Sequence, residues 1–352
     1  MKSFGVTSVL LLTLLLSSPS AGEAQILQPD ELCRDQPDSA IVTFEDASLE
    51  ARVRAALSVG AQDDLTCRLV SVLTALDAEN AGIESLVGIQ HVTSLTELYL
   101  NGNSITDISA LSGLRSLTGL YLNDSSITDI SPLSGLTSLT FLGLDFNSIT
   151  DISPLSGLRS LTGLYLNDNS ITDISPLSGL TNLTRLFLAG SSGTDISPLS
   201  GLTSLTGLNL DSNSGAYRSR DVDLITDISA LSGLTSLTHL RLRGHSFTDI
   251  SALSGLTNLE NLSLSYTSIT DIGALSGLTS LWSLSLDNNS ITDISALSGL
   301  TSPWELWLSG NSNIRNIQPL LDNTGLGASD SVDLTGTSVS CADVAALIAE
   351  GV

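Results

Sequence analysis

The residues of this chain whose types invite chemistry are its aromatic and cationic side chains. Tyr99, Tyr121, Tyr165 and Phe187 fall at intervals of 22 or 44 residues, with Phe141 and Phe146 between them. Arg185, His239, Arg241 and Arg243 follow, and Trp307 comes last. Aromatics held on a rigid face are common anchors for a partner, and arginine forks recognise carboxylates, phosphates and sulfates. Catalysis is harder to assemble. His91, His239 and His245 are the only histidines, and there is no G-x-S-x-G elbow, phosphate loop or metal-ligand spacing, so nothing joins a nucleophile to its base. The chain is read as a non-enzyme that needs no cofactor or bound metal.

What must position these residues is a repeat. The stretch LTGLYLNDNSITDISPLSGLTN, Leu161 to Asn182, returns in near copy from Leu73 to Gly325. Aligning the leucines and the Thr-Asp-Ile triplet gives eleven units, starting at Leu73, Leu95, Leu117, Leu139, Leu161, Leu183, Leu205, Leu237, Leu259, Leu281 and Pro303. Nine share one length; the unit at Leu205 carries ten extra residues, 215–224, and the last carries one. A fixed period of this size marks a solenoid, whose units bury their apolar residues only by stacking on one another. Leu161, Leu164 and Leu166 have the alternation of a short strand with leucines inward. Asn169 is placed to satisfy the turn that follows. Ile171, Ile174, Leu177 and Leu180 recur every three residues, which suits extended or 3₁₀ segments, and Pro176 stops any longer helix.

The pattern LxxLxLxxNxIxDIxPLxxLxx resembles the leucine-rich repeat of the bacterial internalin type, and does so from Leu73 to Gly325. The resemblance implies an α/β repeat: a right-handed curved solenoid with a concave parallel β-sheet, convex 3₁₀ or extended turns, and helical caps at both ends. It also implies binding of a macromolecule through the concave face.

Residues 1–24 read as a secretory signal peptide, with Lys2 at the positive end, the apolar run Val9 to Leu16, and Ala21, Gly22 and Ala24 offering cleavage sites. No later stretch is apolar for long enough to span a bilayer, and no anchoring or sorting signal is read, so an exported, extracellular or cell-surface monomer is expected. The formal net charge of −24 argues against nucleic acid and anionic membranes as partners. Residues 25–72 resemble an N-terminal helical cap, in which Asp46 or Ser48 caps a helix through Leu57 and Asp63-Asp64 begins a second. Residues 326–352 form the other cap, with a degenerate strand at Val332 and Leu334 and a helix opened by Ser340 to Asp343. Cys33 and Cys67 both fall in the first cap and are free to pair. Cys341 is out of their reach, since about ten strands at roughly 4.8 Å separate the caps; a buried thiol under the last helix is expected.

Stacked units turn each repeat position into a column. One outward strand column holds Phe141, Arg185 and His239, and the next holds Tyr99, Tyr121, Tyr165, Phe187, Arg241 and Trp307. The aromatics, with Phe146, form either a binding patch or a set of rings that merely support one another across strands. Arg241 and Arg243, taken to lie on one strand, with Arg185 and with Arg218 and Arg220 of the insertion, offer a dock for an acidic partner or simply solubilise a loop. The column from Asp107 to Asp293 admits calcium, but capping of the following turn is the simpler reading. The column from Thr106 to Thr292 admits ice binding. The expected function is recognition of a protein or glycan ligand through the concave face; the alternatives are a surface or matrix spacer without one ligand, and an ice- or calcium-binding repeat protein.

Overall fold

In the computed structural model of the chain, residues 25–28, 31–191, 193, 195–212, 224–300, 305–327, 330–349 and 351–352 are described. The signal-peptide segment, Arg218, Arg220 and all of the insertion except Leu224 lie outside them. Twelve three-residue strands form one parallel sheet in sequence order: β1 (Ala75–Asp77), β2 (Glu97–Tyr99), β3 (Gly119–Tyr121), β4 (Phe141–Gly143), β5 (Gly163–Tyr165), β6 (Arg185–Phe187), β7 (Gly207–Asn209), β8 (His239–Arg241), β9 (Asn261–Ser263), β10 (Ser283–Ser285), β11 (Glu305–Trp307) and β12 (Ser331–Asp333). The middle residue of each repeat strand is an apolar side chain turned inward, such as fully buried Leu164. One continuous core runs from Leu27 to Leu347. Burial of each such leucine contributes about 2 kcal/mol, and it is delivered only between units.

The register advances by one unit at every step, Tyr99 opposite Tyr121 and Leu98 opposite Leu120. It survives the insertion: Gly207 pairs with His239 and Asn209 with Arg241. Past several of the strands, a buried asparagine closes the turn: Asn103, Asn169, Asn289 and Asn311. Asn169 donates to the carbonyls of Leu144 and Leu166 and accepts from the Ile149 N–H at 3.0 Å. On the convex side the chain makes 3₁₀ turns, five residues long in Ser175–Gly179, where proline presets φ, and three in Ser251–Leu253, where alanine stands instead.

The N-terminal cap contains α1 (Ala47–Leu57), whose first N–H groups are held by Asp46 and which buries Leu49 and Val53. The second helix, α2 (Cys67–Val70), starts later than expected: Thr66 caps it, and Asp63 instead bonds the Gly60 N–H in a turn. A disulfide joins Cys33 to Cys67. The last unit ends in α3 (Gln318–Leu321), and α4 (Cys341–Ala349) opens with Ser340 accepting from the Asp343 N–H. Cys341 is exposed, contrary to expectation. The only buried side chain of the helix is Leu347, six residues further on.

Candidate ligand-binding face

Five rings on β2 to β6 form a single stack along the concave sheet. Centroids lie 4.5 Å apart between Tyr99 and Tyr121, 4.6 Å between Tyr121 and Phe141, 5.0 Å between Phe141 and Tyr165, and 4.6 Å between Tyr165 and Phe187. The stack crosses columns once. Gly143 vacates the tyrosine column on β4, and Phe141 leans over from the neighbouring column to fill the gap. It has room because Gly163 is beside it: a Cβ there would stand 3.0 Å from the Phe141 ring. Gly119 is likewise covered, by the Glu97 carboxylate, and Gly143 by the Asn123 carboxamide. All five rings are half-buried. Burial, with Tyr99 and Glu97 adjoining, pushes the Tyr121 phenol up, so it remains a neutral donor.

Phe146 does not join this stack. It lies three residues past β4 in a left-handed turn, φ 55°, with 57% of its surface exposed. The repeat spacing of a strand residue does not apply there. Trp307 sits on β11 opposite Ser285, far along the sheet from Phe187, and exposed Trp282 immediately precedes β10. In the sequence, Trp282 breaks a column of threonines. In that column, Thr96, Thr118, Thr140 and Thr162 each donate a hydroxyl to the carbonyl of the threonine one unit before.

The arginines are arranged differently from the expectation. Arg241 ends β8 and its Nε lies 2.9 Å from Asp211 Oδ2, so it is paired within the chain. The same carboxylate accepts from the Arg243 N–H. Arg243 is not on the strand: the chain turns out at Gly244, φ 83°, and the guanidinium lies 4.8 Å from the centre of the Tyr266 ring. His239 is exposed with Nδ1 at 2.9 Å from the Thr238 hydroxyl, and Arg185 is exposed on β6 with Gly207 between them.

The aspartate column is structural. Asp107, Asp129, Asp151, Asp173 and their counterparts each accept from the backbone N–H two residues on. Among the described residues no group of three His, Cys, Asp or Glu side chains has the arrangement to hold a metal. Described members of the Thr106 column are exposed singly, one per unit; Thr194 lies outside the described residues. No described helix is long and apolar enough to cross a membrane.

The family model for leucine-rich repeats in two copies matches residues 93–126, 115–157, 159–193 and 257–299. No curated protein sequence matches the chain. Among solved structures, an internalin (inlF) of Listeria monocytogenes is 34% identical, with 86% of each chain covered and a TM-score of 0.79. Internalin C2 of the same organism is 34% identical over 64% of this chain and 94% of its own, TM-score 0.58. The functional domain of InlJ, also from Listeria monocytogenes, is 26% identical over 84% of this chain and 70% of its own, TM-score 0.65.

Proposed function

Because the chain belongs to the internalin-type leucine-rich repeat family, we propose that it is an exported protein that binds another protein through its concave sheet, with the five-ring stack as the central contact. The observation that carries this reading is the geometry of the stack. Rings 4.5 to 5.0 Å apart, stacked from Tyr99 to Phe141 and tilted by 37° and 43° from there to Phe187, screen one another's faces in part. A sugar ring packs on an exposed aromatic face, whereas ring edges suit the aliphatic and aromatic side chains of a protein. This favours a protein over a glycan. The sheet is rigid and the three inner rings are held on both sides by their neighbours, so little side-chain entropy is lost on contact.

The test is capture from host and neighbouring-cell extracts, and from polysaccharides, with the protein beside a Tyr121→Ala, Tyr165→Ala variant. Truncating two anchors is expected to weaken a protein partner at least about 30-fold while the circular dichroism spectrum is kept. A polysaccharide retained through the same tyrosines would replace the protein partner by a glycan. Equal retention by both forms would remove the stack from the contact, retention of nothing would support the spacer reading, and unfolding of the variant would make the rings part of the core.

A further inference from the structure

Where ten of the strands leave the sheet, the chain repeats one left-handed turn. The residues there are Asn80, Gly102, Asp124, Phe146, Asp168, Gly190, Gly244, Tyr266, Asn288 and Gly310. Gly, Asn and Asp take this conformation readily, and large aromatic side chains do not. The two exceptions are Phe146 and Tyr266, at φ 55° and 60°. For Tyr266 the structure shows what the ring does: it carries the Arg243 guanidinium of the preceding unit on its face at 4.8 Å. The residue in the place of Arg243 next to Phe146 is Asn123, which is occupied in accepting the Asp145 N–H. Phe146 thus has the position of a cation-bearing ring, is 57% exposed, and receives no cation from its own chain at that place.

Its neighbours are acidic. Asp124, Phe146 and Asp168 are successive rungs of one backbone ladder, their N–H groups bonding Asp145 O, Asn167 O and Ala189 O at 2.7 to 2.9 Å. The two aspartates therefore stand on either side of Phe146 at about one strand spacing, roughly 4.8 Å along the backbone ladder. We propose that Phe146, Asp124 and Asp168 receive an arginine or lysine side chain of a protein partner, the cation lying on the ring and its N–H groups reaching the carboxylates. The site is on the strand-exit rim, apart from the concave stack, and does not depend on what the stack binds. Burial raises the Asp168 carboxyl, and burial together with the Asp168 charge raises Asp145; a bound cation relieves that unfavourable charge. The formal charge of −24 draws cationic partners toward the molecule but does not choose this spot.

The test uses a labelled peptide of alternating arginine and glycine, followed by fluorescence anisotropy at about 0.15 M salt. Phe146→Gly suits the turn, so its melting temperature is expected to equal or exceed that of the unmodified protein, while peptide affinity falls about three- to fivefold. Phe146→Tyr is expected to restore it. Asp124→Asn with Asp168→Asn, both compatible with the turn, is expected to cost up to about tenfold. Asp129→Asn with Asp151→Asn removes the same charge from the convex side and is expected to change little. Unaltered binding by Phe146→Gly, an equal loss in the convex control, or no binding by the unmodified protein would each overturn the proposal.

Discussion

His245 stands where most units place asparagine, and it reproduces that residue's bonds with different chemistry. Nε2 lies 2.6 Å from the Leu210 carbonyl and Nδ1 3.3 Å from the Ile225 N–H. Those two backbone groups stand on either side of the insertion, so one imidazole ties its ends together. The arrangement requires a neutral ring, Nε2–H donating and Nδ1 accepting. Burial pushes the pKa below the usual 6.5, outweighing the Leu210 carbonyl and the Asp211 charge, both of which favour the cation. A histidine whose folded pKa is depressed binds fewer protons folded than unfolded, so stability is full above about pH 6.5 and is lost as pH falls through the window below it. The expected result is a decline in melting temperature below that pH which His245→Asn reduces. Buried His91, also pushed down by desolvation, leaves a residual slope.

At the scale of the element, the convex turns show how small local choices add up. Asp129, Asp151, Asp195 and Asp249 are held below the ordinary carboxylate range by the N–H and hydroxyl of the serine two residues on. Depressed carboxyls contribute stability above their unfolded pKa and lose it as pH falls through the folded value. A second, more acidic limb is therefore expected in the same titration, and replacing several of these aspartates by alanine should flatten it without touching the limb set by His245. The 3₁₀ turns also differ in their second residue. Pro132, Pro154, Pro176 and Pro198 occupy it in four consecutive units, and Ala252 occupies it in a later one. Since the repeat already accommodates the ring, Ala252→Pro is expected to stabilise by about 0.4–1 kcal/mol through the unfolded chain, measured by denaturant midpoint at unchanged slope.

At the scale of the molecule, stability is a sum over neighbouring units, and the ends are where that sum is exposed. The Cys33–Cys67 bond closes a loop with a sequence separation of 34 in the N-terminal cap. Chain entropy assigns such a link about 4 kcal/mol. Cys33→Ser with Cys67→Ser is expected to fray the cap first, seen as early loss of hydrogen-exchange protection at Leu49, Val53 and Val70 while the central strands stay protected. Simultaneous loss along the whole sheet would mean that the solenoid melts as one unit.

What the sequence alone determined here is whatever follows from local spacing. A leucine at every second strand position, an asparagine three residues after the last of them, and an isoleucine or leucine every third residue dictate which side chains turn inward. Hence the strands, turns and solenoid were readable, as was the strand column of Tyr99, Tyr121, Tyr165 and Phe187. What only the tertiary structure decided are the lateral relations between units. Phe141 enters the ring stack because Gly143 and Gly163 leave space on two different strands. Phe146 leaves it because the backbone reverses its hand at that residue. Asp211 claims Arg241 across 30 positions, with the insertion between, and Tyr266 claims Arg243 from the next unit. Spacing sets the face on which a residue starts. Which neighbour it meets depends on turn conformation and on the volume left by side chains one unit away, and neither is written in the periodicity.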